Sequence, residues 1–140
     1  MILTDTGFWY AFFNAKDKHH LKSVQMMQGL DEGLITTWPV ITETSYLLGK
    51  ALGVRSQLRF LSALESNYIE ISAISTQDLV RIYQLIEQYE DLPMDLADAS
   101  LVILAEKLGH GRILSTDIRD FKTYRWKNRK PFQNLLFPDS

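Results

Sequence analysis

Cysteine is absent from this sequence, so neither disulfide bonds nor thiolate metal sites are available to it. No apolar run approaches the about 18 residues that a membrane-spanning helix requires. The stretch MILTDTGFWY lacks the basic region, long apolar region and cleavage site of a secretory signal. These absences predict a protein of a reducing compartment, the cytoplasm, with no membrane segment.

A strong excess of charge of one sign is also lacking. The chain has 15 Lys and Arg against 17 Asp and Glu, a formal net charge of −2, so its overall charge makes no case for nucleic-acid binding. The charges are unevenly spread, because residues 119–130 are rich in Lys and Arg while several acids lie in apolar segments. The 140 residues, 46% of them hydrophobic, suit a single domain spanning residues 1–140.

Segments of strand and helix character alternate along the chain. Strands are predicted near residues 1–4, 34–37, 68–74, 112–115 and 132–137. Helices are predicted near residues 6–14, 19–30, 39–52, 55–66, 75–89 and 94–108. Such alternation is typical of an α/β fold with a mainly parallel sheet, in which ligand sites gather at the carboxyl ends of the strands.

Two acids follow predicted strands at that edge of the sheet. Asp5 comes directly after the first strand, and Asp117 follows the strand RILS after one intervening residue. Each also has a purely structural explanation, because Asp is a common helix N-cap and a common turn residue.

Two further acids fall on helix faces that should meet the core. Glu43 lies three residues after Val40 and four before Leu47. It therefore falls within a stripe that is predicted to be buried and consists of Val40, Leu47, Leu48 and Ala51. Asp98 is on the inward side of the helix in LPMDLADASLVILAEKLG, and Asp95 shares that face near the helix N-terminus. Stabilisation of the first turn through the helix dipole would explain Asp95. An ionised carboxylate in an apolar setting is nevertheless costly unless something pairs with it.

One explanation covers these acids, namely that they meet around a cation at the carboxyl edge of the sheet. Two like charges about 4 Å apart repel by about 4 kcal/mol at an effective dielectric of about 20. A hard divalent ion with oxygen ligands, Mg²⁺ or Mn²⁺, offsets that repulsion. Such an ion activates water and stabilises the oxygens of an in-line displacement at phosphorus. The acids therefore predict phosphodiester hydrolysis without a covalent intermediate.

Four segments, in order along the chain, resemble the PIN-domain family and within it the VapC-type toxins of prokaryotic toxin–antitoxin pairs. The segments are ILTDTGFWYAFF, TTWPVITETSYLL, LPMDLADASLVILAEKLG and RILSTDIRDFKTYR. The resemblance covers nearly the whole chain and implies a three-layer α/β/α sandwich with the activity of a Mg²⁺- or Mn²⁺-dependent endoribonuclease. It also implies a homodimer, and a cognate antitoxin that inserts a peptide arm, often with an Arg or Lys, toward the acidic pocket.

The resemblance assigns roles to particular residues. It implies metal ligands at Asp5, Glu43, Asp98 and Asp117. At Ser115 it implies a catalytic hydroxyl that holds a metal-bound water or a phosphate. Supporting roles beside these ligands are expected for Thr6, Asp95 and Asp120. The nearby basic side chains form either a solvated surface or contacts to an RNA backbone; these are Lys122, Arg125 and Lys127.

Two other functions are compatible with the same fold class. A phosphohydrolase of the haloacid-dehalogenase kind is also α/β, acidic and Mg²⁺-dependent. It needs a second Asp two residues after its nucleophile, however, and Gly7 stands two residues after Asp5. The other alternative is a non-catalytic PIN module that binds RNA or a protein partner, although RNA binding alone gives no reason to concentrate negative charge.

Overall fold

The computed structural model describes residues 1–139, and its centre is a five-stranded parallel sheet flanked by helices. The strands are β1 (Ile2–Thr4), β2 (Leu34–Thr37), β3 (Glu70–Ser72), β4 (Arg112–Leu114), β5 (Arg125–Trp126), β6 (Lys130–Pro131) and β7 (Gln133–Asn134). The helices are α1 (Thr6–Phe13), α2 (His20–Gly29), α3 (Trp38–Leu52), α4 (Val54–Ser66), α5 (Leu79–Gln88), α6 (Leu96–Leu108) and α7 (Ile118–Thr123). The predicted α/β/α sandwich with a parallel sheet is therefore confirmed.

The order of the strands brings distant parts of the chain to one edge. The sheet runs β3-β2-β1-β4-β7, and each neighbouring pair is parallel. In the centre, Leu3 lies opposite Ile35 on one side and Ile113 on the other. Because the strands are parallel, the residues that follow β1, β2 and β4 emerge together at the carboxyl edge.

The core explains why this edge is well supported. The side chains of β1, and of Ile113 and Leu114 in β4, are almost completely buried, and each fully buried Leu or Ile stabilises the fold by about 1.5–3 kcal/mol. Helix α6 is buried along most of its length, from Ala97 to Ala105, and it ends where Gly109 adopts a left-handed conformation with φ of 78°. Its first turn is therefore held firmly at the edge of the sheet.

Several predicted boundaries are corrected by the structure. Helix α6 begins at Leu96 rather than at residue 94, because Asp95 caps it with extended backbone. The predicted capping box of Ser75 and Asp78 is present, but it opens a 3₁₀ turn that precedes α5. Residues 118–131, which the sequence pattern left without an element, form α7 and the antiparallel pair of β5 and β6.

The predicted buried stripe of α3 is partly wrong. Ala51 is exposed and Leu47 is only half-buried. The residues of α3 that face the core are Val40, Ile41, Thr44 and Leu48. Glu43 is half-buried, so it lies at the margin of the buried face rather than within it.

Within residues 1–139, no helix has both the length and the apolar character needed to cross a lipid bilayer.

Candidate functional site

An acidic pocket of about 440 Å³ opens at the carboxyl edge of the sheet. It is lined by Asp5, Thr6, Gly7, Glu43, Pro93, Asp95, Asp98, Thr116, Asp117 and Asp120. The structure thus brings together the four predicted ligands and the three residues expected to support them. No Lys or Arg is among the lining residues in the described part of the chain, so the carboxylates have no cation of the protein within the pocket.

Asp5 lies at the bottom of the acidic pocket. It directly follows β1 and is 3% exposed. Its Oδ1 accepts a hydrogen bond of 2.8 Å from the backbone N–H of Phe8, so Asp5 is the N-cap of α1, and its Oδ2 accepts the hydroxyl proton of Ser115. Burial raises the pKa of Asp5 to about 7, although both hydrogen bonds lower it and the charge of Asp117 raises it further. Asp5 is therefore a helix N-cap that also lines the acidic pocket, and its role as a metal ligand stays a prediction.

Ser115 links the two strand-end acids. Its buried hydroxyl donates to Asp5 and accepts a hydrogen bond of 2.9 Å from the backbone N–H of Asp117. Its backbone is held by Asn134 of β7, whose side chain donates to Ser115 O at 2.9 Å and accepts from Ser115 N at 3.2 Å. Asn134 was not predicted, although an amide within the otherwise apolar stretch FQNLLF was a visible signal.

Asp98 is the acid most strongly affected by its surroundings. It lies in the first turn of α6, where its N–H donates to the side chain of Asp95 at 3.0 Å. Burial raises the pKa of Asp98 to about 8, and the charges of Asp95 and Asp5 add to this effect. The hydroxyl of Tyr124 donates to Asp98 Oδ2 at 3.2 Å. Tyr124 was missed because no sequence pattern links a residue 26 positions away to this helix.

Two more acids complete the rim of the acidic pocket. Burial and the neighbouring carboxyl of Asp95 raise the pKa of Glu43 to about 7. Burial and the neighbouring Asp117 raise the pKa of Asp120 to about 6. Asp120 Oδ1 is buried without a hydrogen bond, and the nearest cation recorded for it is Arg119, whose Nε is 3.5 Å away. Asp117 caps α7 by accepting from the N–H of Asp120 at 3.3 Å.

Gly7 lies close to the side chain of Thr116, in the loop after β4. A Cβ atom on Gly7 would lie 2.1 Å from Thr116 Oγ1 and 3.6 Å from Asp5 Oδ1, so a side chain there would require the side chain of Thr116 to move. The absence of a side chain at Gly7 lets α1 and the loop after β4 meet, which brings Asp5 and Asp117 to the same pocket.

The predicted basic contacts differ in their freedom to bind a ligand. Arg125 Nη1 donates to the carbonyl oxygens of Lys122, Thr123 and Tyr124 at 2.8, 3.2 and 3.0 Å, so it caps the end of α7. Lys122 and Lys127 are exposed, and the ammonium of Lys127 lies 5.8 Å from the ring centroid of Trp126. Lys122 is the closer of the two along the chain to the acidic pocket, because it lies on the helix that Asp117 begins.

The donor set of the pocket fits a hard divalent cation in type and charge. Oxygen ligands from carboxylates are those that Mg²⁺ and Mn²⁺ prefer, and burial raises the pKa values of Asp5 and Asp98, which have no Lys or Arg beside them among the lining residues. Among residues 1–139, however, no three His, Cys, Asp or Glu side chains are close enough together to hold an ion as they stand. Mg²⁺ usually keeps several waters and needs only one or two carboxylates of the protein, so the oxygen donors of this pocket still fit such an ion.

Comparisons with known proteins agree with this architecture. The PIN domain family model matches residues 2–127. Ribonuclease VapC26 of Mycobacterium tuberculosis is 25% identical over 124 residues, which are 89% of this chain and 92% of that protein. The crystal structure of VapC20 of Mycobacterium tuberculosis, described as a sarcin-ricin loop cleaving toxin, superposes with a TM-score of 0.77 at 20% identity. That superposition covers 84% of this chain and 90% of the other, and it shows a shared fold.

Proposed function

The chain belongs to the PIN domain family, and from that premise we propose that it is a Mg²⁺- or Mn²⁺-dependent endoribonuclease, the toxin of a toxin–antitoxin pair. The observation that carries the proposal is the convergence of Asp5, Glu43, Asp98 and Asp117 on one pocket without a Lys or Arg among its described lining residues. Repulsion between these groups costs free energy, and only a function that uses a cation gives a reason to keep them together.

In the proposed mechanism the chain's own residues hold the ion and orient its surroundings. Asp5, Glu43, Asp98 and Asp117 would hold it, and Ser115 keeps Asp5 in place through its hydroxyl proton. When bound, a divalent cation polarises a phosphate oxygen and makes water a stronger nucleophile near neutral pH. The carboxylates must release their protons for this role, because only the ionised forms are ligands.

The proposed substrate is single-stranded or loop RNA. VapC26 is named a ribonuclease, and VapC20 is described as cleaving the sarcin-ricin loop, so RNA is the substrate class that both comparisons support. The exposure of Lys122 on α7, the helix that Asp117 begins, supports a proposed contact between this side chain and an RNA backbone. A protein that cuts cellular RNA would act in the cytoplasm.

Cleavage of a short labelled hairpin RNA tests the proposal. We expect cleavage with Mg²⁺ or Mn²⁺ and none with EDTA, because the cluster of carboxylates needs a bound cation to attract a phosphate. Restoring the ion should restore cleavage. Tight RNA binding that is indifferent to the ion, with no cleavage at high protein concentration, would instead favour the non-catalytic module.

The proposed antitoxin would present a basic segment to the acidic pocket. An Arg or Lys side chain inserted there supplies the positive charge that the lining residues lack, and it would compete with the divalent ion. Inhibition that weakens as the Mg²⁺ concentration rises would support this arrangement.

A homodimer is proposed through an apolar surface beside the acidic pocket. Trp38, Tyr46 and Leu96 are 54%, 62% and 49% exposed, and they line a cavity of about 590 Å³ that also contacts Glu43 and Asp95. Large exposed apolar side chains that adjoin one another are typical of an interaction surface.

Tyr46→Asp is expected to convert the dimer to a monomer, because a charge buried in an apolar interface is not compensated. Sedimentation velocity measures the change in mass. Tyr68→Asp is the matched control, since Tyr68 is 90% exposed and lies outside this apolar surface, and it should leave the mass unchanged. A wild-type protein that sediments as a monomer at high concentration would contradict the proposed dimer.

A further inference from the structure

A buried tyrosine hydroxyl reaches the acidic pocket from within the core. Tyr124 is completely buried, yet its hydroxyl donates to Asp98 Oδ2 at 3.2 Å. Burial strongly raises the pKa of Tyr124, and the carboxylates of Asp98, Asp120 and Asp117 raise it further, so the phenol stays protonated and remains a donor. The neutral O–H of Tyr124 therefore acts as a hydrogen-bond donor to Asp98, one of the acids of the pocket.

The ring of Tyr124 is held rigidly. It packs edge to face against Phe121 and Tyr89, with ring centroids 5.4 and 5.0 Å away. Tyr89 packs against Tyr124 through its ring, whereas its hydroxyl accepts a hydrogen bond of 3.0 Å from the backbone N–H of Arg125 and does not contact Tyr124 or the acids. A donor anchored in this way holds its acceptor in one orientation.

The position of Tyr124 also connects two proposed ligands. It directly follows α7, the helix that Asp117 begins, and its N–H donates to Asp120 O at 2.8 Å. The same short helix thus places Asp117 at one end and the donor to Asp98 at the other. A shift of α7 would therefore move Asp117 together with the hydroxyl that donates to Asp98.

We infer that Tyr124 is a positioning residue that sets Asp98 for ion binding by holding its Oδ2 and leaving Oδ1 available to the cation. The inference rests on the proposed ion-dependent ribonuclease. Hydrogen bonds to ligating groups orient them, and loss of such a partner costs about 10–100-fold in metal affinity or activity. Tyr124 itself contacts neither the ion nor the RNA.

The test compares Tyr124→Phe with Tyr89→Phe. Each variant removes one phenolic oxygen from a packed ring, but only the first removes a bond to a carboxylate. Mn²⁺ binding is measured by calorimetry without RNA. We expect Tyr124→Phe to weaken Mn²⁺ binding by about 10-fold or more and Tyr89→Phe to leave it unchanged. In RNA cleavage, raising the Mn²⁺ concentration should recover much of the lost rate of Tyr124→Phe while the KM for RNA stays the same.

The outcomes separate this inference from the proposed function. Unchanged Mn²⁺ affinity in a folded Tyr124→Phe protein would overturn the role of Tyr124 alone. A wild-type protein that binds no Mn²⁺ would overturn the proposed function together with this inference.

The tyrosine absorbance of the wild-type protein tests the role of Tyr124 even if Tyr124→Phe does not fold. Binding of Mg²⁺ to Asp98 changes the hydrogen bond of Tyr124, so it should produce a tyrosine absorbance difference that persists in Tyr89→Phe and in Tyr46→Phe. Saturable Mg²⁺ binding without such a signal would overturn the inference.

Discussion

Asp98→Asn should lower RNA cleavage by more than about 100-fold while raising the melting temperature of the protein in EDTA. Activity falls because an amide is a weak, uncharged ligand for Mg²⁺ in place of a carboxylate. Stability rises because burial and the charges of Asp95 and Asp5 disfavour an ionised Asp98 in the folded state, and the amide removes that penalty. Asn keeps an oxygen that accepts from Tyr124, so the local packing is preserved.

A loss of RNA cleavage together with a higher melting temperature distinguishes an acid that serves function from one that stabilises the fold. Asp31→Asn is the matched control, because Asp31 is exposed and lies before β2 at the other edge of the sheet. It removes the same charge and should change neither quantity. Retention of full activity in Asp98→Asn would remove Asp98 from the proposed ligands, and a large loss of stability would mean that its role is to hold the fold.

The protein in EDTA is expected to lose stability as the pH rises from about 5 to 8. The pKa values are about 7 for Asp5 and Glu43, about 8 for Asp98 and about 6 for Asp120, against ordinary values of 3.8 for Asp and 4.5 for Glu. Over this range the folded state binds more protons than the unfolded state, so unfolding releases protons. Each extra proton lowers the free energy of unfolding by about 1.4 kcal/mol per pH unit.

Two other acids, Glu32 and Asp78, make the protein less stable as the pH falls. A side-chain hydrogen bond from Arg112 lowers the pKa of Glu32, and a hydrogen bond from the backbone of Ser75, followed by one from Lys107, lowers the pKa of Asp78. The stability that each acid contributes is therefore present above its ordinary pKa and is lost on acidification. These pairs are exposed and contribute little. The maximum of stability in EDTA is therefore expected near pH 5.

Melting temperatures between pH 5 and 8, in EDTA and in Mg²⁺, measure this effect. Mg²⁺ should stabilise the protein more at pH 8 than at pH 5, because protons compete with the ion for the same oxygens. Asp98→Asn should flatten the slope measured in EDTA. A melting temperature that is constant or rises from pH 5 to 8 in EDTA would contradict the raised pKa values.

Much of this fold could be predicted because its signals are local. The strand LITT was predicted at its observed bounds, and the stop at Gly109 follows from the conformational freedom of glycine. Boundaries at helix N-termini were less accurate, as at Leu96, because the cap depends on backbone geometry. The small elements between residues 118 and 131 were missed since they are two to six residues long and carry no periodicity.

The chemistry of the site was visible in the sequence, but its geometry was not. Asp5 and Asp117 follow strands, and Asp98 interrupts an apolar helix, so residue type and spacing alone mark them as exceptional. The contacts that hold them come from Tyr124 and Asn134, which lie far away in the chain. No local pattern identifies such partners, because a hydrogen bond between distant residues depends on how the layers pack.

By itself, the sequence determined a parallel α/β domain and a set of acids at strand ends and on apolar helix faces, since hydrophobic periodicity and charge are properties of residues and their spacing. Only the tertiary structure decided that these acids line one pocket, that Glu43 lies at the margin of its helix face, and that Arg125 is used to cap α7. The physical reason is that burial, which raises the pKa values of Asp5 and Asp98, is produced by long-range packing and belongs to no single segment of the chain.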